Sequence, residues 1–156
     1  MNSLHNVLVA DDSADDVFLL QEAFKMAEAT SRLHAVTDGA EAVAYLKGEQ
    51  AFGNRELHPF PDVLLLDLNM PRMNGFEVLE WVRREPCCSR LVVHVLTASG
   101  RESDVQRAYD LHANSYTIKP NRLDELVGFI SALHQWHRFI TLPPALLSEE
   151  ALAQQR

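Results

Sequence analysis

The chain has 156 residues, 47% of them hydrophobic and 23% charged, an ordinary globular mixture with room for one main core. Its 22 acidic side chains outnumber 14 basic ones for a formal charge of −8, which disfavours a nucleic-acid-binding surface because affinity for phosphate backbones comes from Lys and Arg. No apolar run of about 18 residues and no secretory h-region is present, and the adjacent Cys87 and Cys88 are badly placed to bridge each other; a soluble cytoplasmic protein with reduced thiols is expected. The first strand is Asn6 to Ala10, a short apolar run that ends in two aspartates. Apolar Val17, Leu20, Phe24 and Ala27 then recur at helical spacing, and Ser13 with Asp16 three residues later resembles a capping box.

A second strand, Leu33 to Val36, and a turn at Asp38-Gly39 lead to a second helix that places Ala40, Val43 and Leu46 on one face. Residues 48–61 are polar and punctuated by Gly53, Pro59 and Pro61, which predicts a long loop. Val63 to Asp67 has no polar alternation, as a central parallel strand covered on both faces requires. A third helix follows the turn through Pro71 and Gly75, with Phe76, Leu79 and Val82 facing inward. Next come a fourth strand (Leu91 to Thr97), a fourth helix (Ser103 to Leu111) and a short fifth strand (Ser115 to Ile118). The fifth helix carries Leu123, Leu126, Ile130 and Leu133 on one stripe.

Strands and helices alternating in this way imply an α/β fold, a doubly wound, five-stranded parallel sheet with five helices and right-handed crossovers. In such sheets ligands sit outside the carboxyl ends of the strands. The strand ends here carry Asp11 and Asp12, Asp67, Thr97, and Lys119 before Pro120. Three carboxylates on one rim repel each other by roughly 4 kcal/mol per pair at 4 Å and an effective dielectric of ~20. A hard divalent cation with oxygen ligands offsets that repulsion, and Mg²⁺ fits better than Zn²⁺ because no histidine or cysteine joins the cluster. The other parts suit phosphoryl transfer: Asp67 as a carboxylate nucleophile, Thr97 as a hydroxyl donor to a phosphoryl oxygen, and Lys119 as a cation.

The segments VLVADDS, LLLDLNMPRMNGFEVL, VLTAS and SYTIKP resemble the receiver domains of two-component response regulators, over about Asn6 to Leu133. The resemblance implies a flavodoxin-like strand order of 2-1-3-4-5. It makes Asp67 the phosphoacceptor for a partner histidine kinase, and it makes Asp12 and Asp67 direct Mg²⁺ ligands with Asp11 acting through water. The backbone carbonyl of Asn69 is implied as a further ligand, Thr97 and Lys119 as the phosphate-binding pair, and a cis peptide between Lys119 and Pro120. Thr97 and Tyr116 correspond to a switch in which the hydroxyl moves to the phosphoryl group and the aromatic ring then packs inward. The chemistry implied is the protein's own phosphorylation and dephosphorylation, with no turnover of other substrates. A phosphatase with an aspartate nucleophile typically has a second Asp two residues on, where this chain has Asn69, which cannot shuttle a proton.

The boundaries expected are a receiver domain at 1–140 and a C-terminal extension at 141–156, with no output domain after it. The long loop, the segment AYDLHANSY and the tail W-x-x-F-I-T-L-P resemble stand-alone regulators paired with cyanobacterial and bacterial phytochromes. That group implies a phytochrome-type kinase and a homodimer, with output through altered protein contacts; a phosphorelay intermediate or phosphate sink is the alternative. Trp136, Phe139, Ile140, Leu142, Leu146 and Leu147 are many apolar groups for a solvated end and either fold back or meet a second subunit, where Tyr109 on the fourth helix is a candidate to join them. His134 and His137 are expected as surface imidazoles, His94 as a neutral, hydrogen-bonded histidine under a helix, and Asp15 and Asp16 as first-turn residues favoured by the helix dipole.

Overall fold

The computed structural model describes residues 3–144, so Leu146 and Leu147 lie outside the described residues. Its elements are β1 (Asn6–Ala10), α1 (Ala14–Met26), β2 (Arg32–Val36), α2 (Gly39–Lys47), β3 (Val63–Leu66), α3 (Gly75–Arg84), β4 (Val92–Thr97), α4 (Glu102–Asp110), β5 (Ser115–Ile118) and α5 (Leu123–Phe139). The strands form one parallel sheet in the order β2-β1-β3-β4-β5. The doubly wound α/β fold and the order 2-1-3-4-5 are as expected.

Alternation along the central strands divides the core between the two faces of the sheet. Leu8, Ala10, Leu64, Leu66, Val93 and Val95 pack with Tyr45, Leu46, Phe76, Leu79 and Val82 from α2 and α3. Val7, Val9, Val63, Leu65, Val92 and Leu96 face the other way, against Leu20, Phe24, Leu126, Ile130 and Leu133 from α1 and α5. All four residues of β3 are buried, which is why that strand carries no polar alternation.

The inward face of α2 differs from the one expected. Ala42, Tyr45 and Leu46 are buried while Ala40 is exposed. Gly39 explains the rotation: a Cβ there would lie 2.0 Å from the carbonyl oxygen of Met73, so the helix start is pressed onto the loop after β3. The long loop forms a 3-10 turn at Gln50–Phe52, and Arg55 ties it down by donating to the carbonyls of Tyr45 (2.8 Å) and Leu46 (2.7 Å) at the end of α2. Helix α5 runs through the segment containing both histidines, and His137 is buried, not on the surface. After α5, Leu142 packs against the α1–α5 side of the core. No helix among the described residues is long and apolar enough to cross a membrane.

Candidate functional site

Sheet register brings the acidic groups together. Ala10 pairs with Leu66, and the amide of Asp67 donates to the Ala10 carbonyl at 3.0 Å, so Asp11 and Asp67 leave adjacent strands side by side. Asp11 is fixed further by the amide of Ser13, which donates to its carboxylate at 2.9 Å. One oxygen each from Asp11, Asp12 and Asp67 lies within 4.8 Å of the others. Asp11 and Asp67 are buried and Asp12 is exposed, so the cluster is anchored inside the rim and open on one side. Gly75 permits this packing, since a Cβ there would sit 2.2 Å from the carbonyl oxygen of Asp67.

Lys119 reaches the cluster from the end of β5. Its ammonium lies 2.7 Å from Asp11, 3.1 Å from Asp67 and 2.8 Å from Asp16. Its backbone amide donates to the Thr97 carbonyl at 2.7 Å, fixing the two residues relative to one another. Burial disfavours the charged ammonium, but the bonds to Asp11 and Asp16 and the charge of Asp67 outweigh it and hold the pKa above the ordinary lysine value. Burial acts on Asp11 in the same way and raises its pKa, more than the Lys119 contact lowers it. One ammonium is therefore shared among several carboxylates, and the cluster retains an excess of negative charge. Thr97 completes the rim: its hydroxyl is buried and has no hydrogen-bond partner among the described residues.

Asp16 is the residue that its place in the sequence did not reveal. An acid in the first turn of a helix has a sufficient local reason to be there, the helix dipole. The capping box is also half-formed: Ser13 accepts from the Asp16 amide at 3.2 Å, but Asp16 does not return to the Ser13 amide. Asp11 has taken that amide and Asp16 has turned to Lys119.

One further expectation is corrected. No peptide bond among the described residues is cis, so the Lys119–Pro120 bond is trans. The trans form is intrinsically lower even before proline, and from it the Lys119 ammonium already reaches the carboxylates. Tyr116 is already half-buried against the core, and its hydroxyl donates to the Ser99 carbonyl at 2.8 Å. The same loop is held by the Ser99 hydroxyl, which donates to Asp104 at 2.5 Å. The side chain of Asn69 is exposed beside the rim.

The donor set suits a hard divalent cation: carboxylate oxygens close together, excess negative charge, and no nitrogen or sulfur ligand within the group. Away from the rim, His94 is hydrogen-bonded as expected, to the Ser115 hydroxyl at 2.5 Å and to His137 at 3.3 Å. His134 is also tied down, against Ser31 at 2.6 Å and the Ile130 carbonyl at 2.8 Å. Cys87 and Cys88 are free thiols. Tyr109, Trp136 and Phe139 are exposed, and Ile140 is half-buried.

Comparison with known proteins gives a family model described as the response regulator receiver domain, which matches residues 7–131. Response regulator Rcp1 of Synechocystis is 36% identical over 140 residues, covering 89% of this chain and 93% of that protein. Among solved structures, the Mn²⁺-bound form of Rcp1 matches with a TM-score of 0.77 and 35% identity, over 89% of this chain and 99% of that one. The phosphorylated cyanobacterial phytochrome response regulator RcpA matches with a TM-score of 0.81 and 34% identity, over 90% of this chain and 99% of that one.

Proposed function

Because the chain belongs to the response regulator receiver domain family, we propose that it is a phosphorylation switch in which Asp67 accepts a phosphoryl group from a histidine kinase. The observation that carries the proposal is the grouping of Asp67, the carboxylates of Asp11 and Asp12, the Lys119 ammonium and the unpartnered Thr97 hydroxyl on one rim. In the reaction an Asp67 carboxylate oxygen attacks phosphorus, the bond from phosphorus to the kinase imidazole nitrogen breaks, and the imidazole leaves with a proton. Lys119 offers its ammonium to one phosphoryl oxygen, and the Thr97 hydroxyl donates to another. Asp11, Asp12 and Asp67, with the Asn69 backbone carbonyl, would hold Mg²⁺, which when bound neutralises charge between the phosphoryl donor and the acidic rim. The Mn²⁺ in the structure of Rcp1 supports a divalent ion of this kind.

The signal starts at Thr97. Drawing its hydroxyl toward the phosphoryl group pulls on the loop that Tyr116 and Asp104 hold through Ser99. The kinase is of the phytochrome type, a reading supported by the likeness to RcpA. The exposed Tyr109, Trp136 and Phe139 supply an apolar surface on α4 and α5 for a homodimer. The receiver spans 1–140, with 141–156 as an extension, and the protein acts in the cytoplasm through changed protein contacts.

Incubation with acetyl phosphate and Mg²⁺ tests the central claim. Wild-type protein should become labelled and Asp67→Asn should not. Labelling of the variant at an equal rate, or steady hydrolysis of small phosphoesters by the wild type, sinks the reading.

A further inference from the structure

We propose that Asp16 is a positioning residue for phosphoryl transfer, acting through Lys119; this rests on the reading of Asp67 as the phosphoacceptor. A lysine ammonium has three N–H donors. Here three carboxylates surround it, at 2.7 Å (Asp11), 2.8 Å (Asp16) and 3.1 Å (Asp67). The two short contacts come from residues that are not phosphorylated, and the longest goes to the residue that is. Asp16 and Asp67 each accept an N–H from it, while Asp11 holds the ammonium as an ion pair, so Asp16 is the hydrogen-bonded anchor that leaves a donor aimed at Asp67. When Asp67 carries a phosphoryl group, only that donor has to move.

The surroundings explain why an anchor is needed on the Asp16 side. A cavity of 40 Å³ beside Lys119 is lined by Leu19, Leu20, Leu96 and Leu126 as well as by Asp11 and Asp16. Of the groups lining it, only the two aspartates are acidic acceptors. Without Asp16 the ammonium would turn wholly toward Asp11 and Asp67, with one donor left to solvent and its direction unfixed. Asp16 is itself held in place: the Ser13 hydroxyl caps α1 by accepting from the Asp16 amide at 3.2 Å, and Ser13 is in turn tied by its own amide to Asp11. Its carboxylate is 42% exposed against 5% for Asp11, so it has room to follow the ammonium during the reaction.

The test is the rate of Asp67 phosphorylation as a function of acetyl phosphate concentration at saturating Mg²⁺, in wild type, Asp16→Ala and Asp16→Asn. The isosteric asparagine keeps an acceptor oxygen where the carboxylate was and removes the charge. Asp16→Ala should lower the maximal rate about tenfold with the half-saturating concentration unchanged, as misdirection of one reacting partner does. Asp16→Asn should recover the rate to within about threefold of wild type, since orientation and not charge is at stake. Thermal unfolding of the same proteins separates folding from positioning, because a rate loss that Asn does not rescue but that tracks the unfolding temperature belongs to stability and overturns the proposal. So does an unchanged maximal rate in Asp16→Ala, or a gain in both variants through a lower half-saturating concentration, which would make Asp16 only a negative charge repelling an anionic donor. Absence of label in wild type, or equal label in Asp67→Asn, removes the proposed function instead.

Discussion

Two buried polar groups lie three residues apart on β4, and they are treated in opposite ways. Thr97, at the carboxyl end, faces the acidic rim with its hydroxyl unpartnered. His94, in the middle of the strand, is buried toward α5, with one ring nitrogen against Ser115 and the other against His137. The rim holds charge in excess of its counter-charge and a donor without an acceptor. The histidine pair joins two elements through a His94 whose two ring nitrogens both have partners, although the far nitrogen of His137, Nδ1, is buried without one. A polar group left wanting at a strand end is poised for a ligand, and a polar group satisfied within the strand fastens the fold. Changes at the two places should therefore move stability in opposite directions.

The largest effect is expected at His137. Its ring is 1% exposed, so His137→Ala removes packed volume and also leaves a His94 nitrogen buried without a partner. The first loss resembles a large-to-small core substitution and the second a buried unsatisfied group; removing the unpartnered His137 Nδ1 offsets part of them, for a net loss of about 3 kcal/mol. Urea unfolding at neutral pH measures it. A loss below about 1 kcal/mol would mean that the pair is an incidental contact.

The next effect is a dependence on pH. Burial first, and then the neighbouring His137, holds His94 down to about 4 from an ordinary value of 6.5. The His137 ring is also lowered, by burial and then by His134, with Asp62 opposing. For a base with a depressed folded-state pKa, the unfolded chain takes up the proton first as the pH falls. The stability His94 confers is thus complete above about pH 6.5 and is lost progressively down to about pH 4, by roughly 3 kcal/mol. Asp11 at the rim has the reverse sign. Its raised pKa means that, without metal, stability is lost as the pH rises through that pKa. Comparing wild type with His94→Gln at each pH cancels the rim, and the difference should shrink between pH 7 and pH 4.5. A difference that stays flat over that range would show that His94 is as free to titrate when folded as when unfolded.

The same contrast explains which features were legible from the amino-acid order. β1 and β3 were readable because each is an apolar run that ends abruptly at an aspartate, and that pattern is local. Asp67, Thr97 and Lys119 stood out because a parallel sheet delivers every strand end to one edge. Asp16 does stand in the first turn as read, but its link to Lys119 went unseen and His137 was misjudged, because each has a common local reason for its position, a helix start and a helix end, while its partner is 103 residues away in one case and 43 in the other. The face of α2 was rotated for a similar reason, since contact of Gly39 with Met73 is a tertiary fact. The trans bond before Pro120 could not be read either, because sequence alone leaves the two isomers within about 1 kcal/mol.

The smallest effect is the one that most directly opposes the histidine pair. Thr97→Val keeps the shape of the side chain and replaces a buried hydroxyl with a methyl group. At most positions the exchange costs stability, because a hydrogen bond is lost. Here the hydroxyl has none to lose among the described residues, so the variant should gain about 1 kcal/mol in metal-free protein, the desolvation cost of an unpaired polar group. The same protein should take up phosphoryl from acetyl phosphate yet fail to transmit the change to the loop held by Tyr116 and Ser99. Urea unfolding gives the first number, and Tyr fluorescence before and after phosphorylation gives the second. A destabilised Thr97→Val would mean that the hydroxyl is already paired in solution, and the distinction between the two ends of the comparison would then fall, because Thr97 would be fastening the fold just as His94 does.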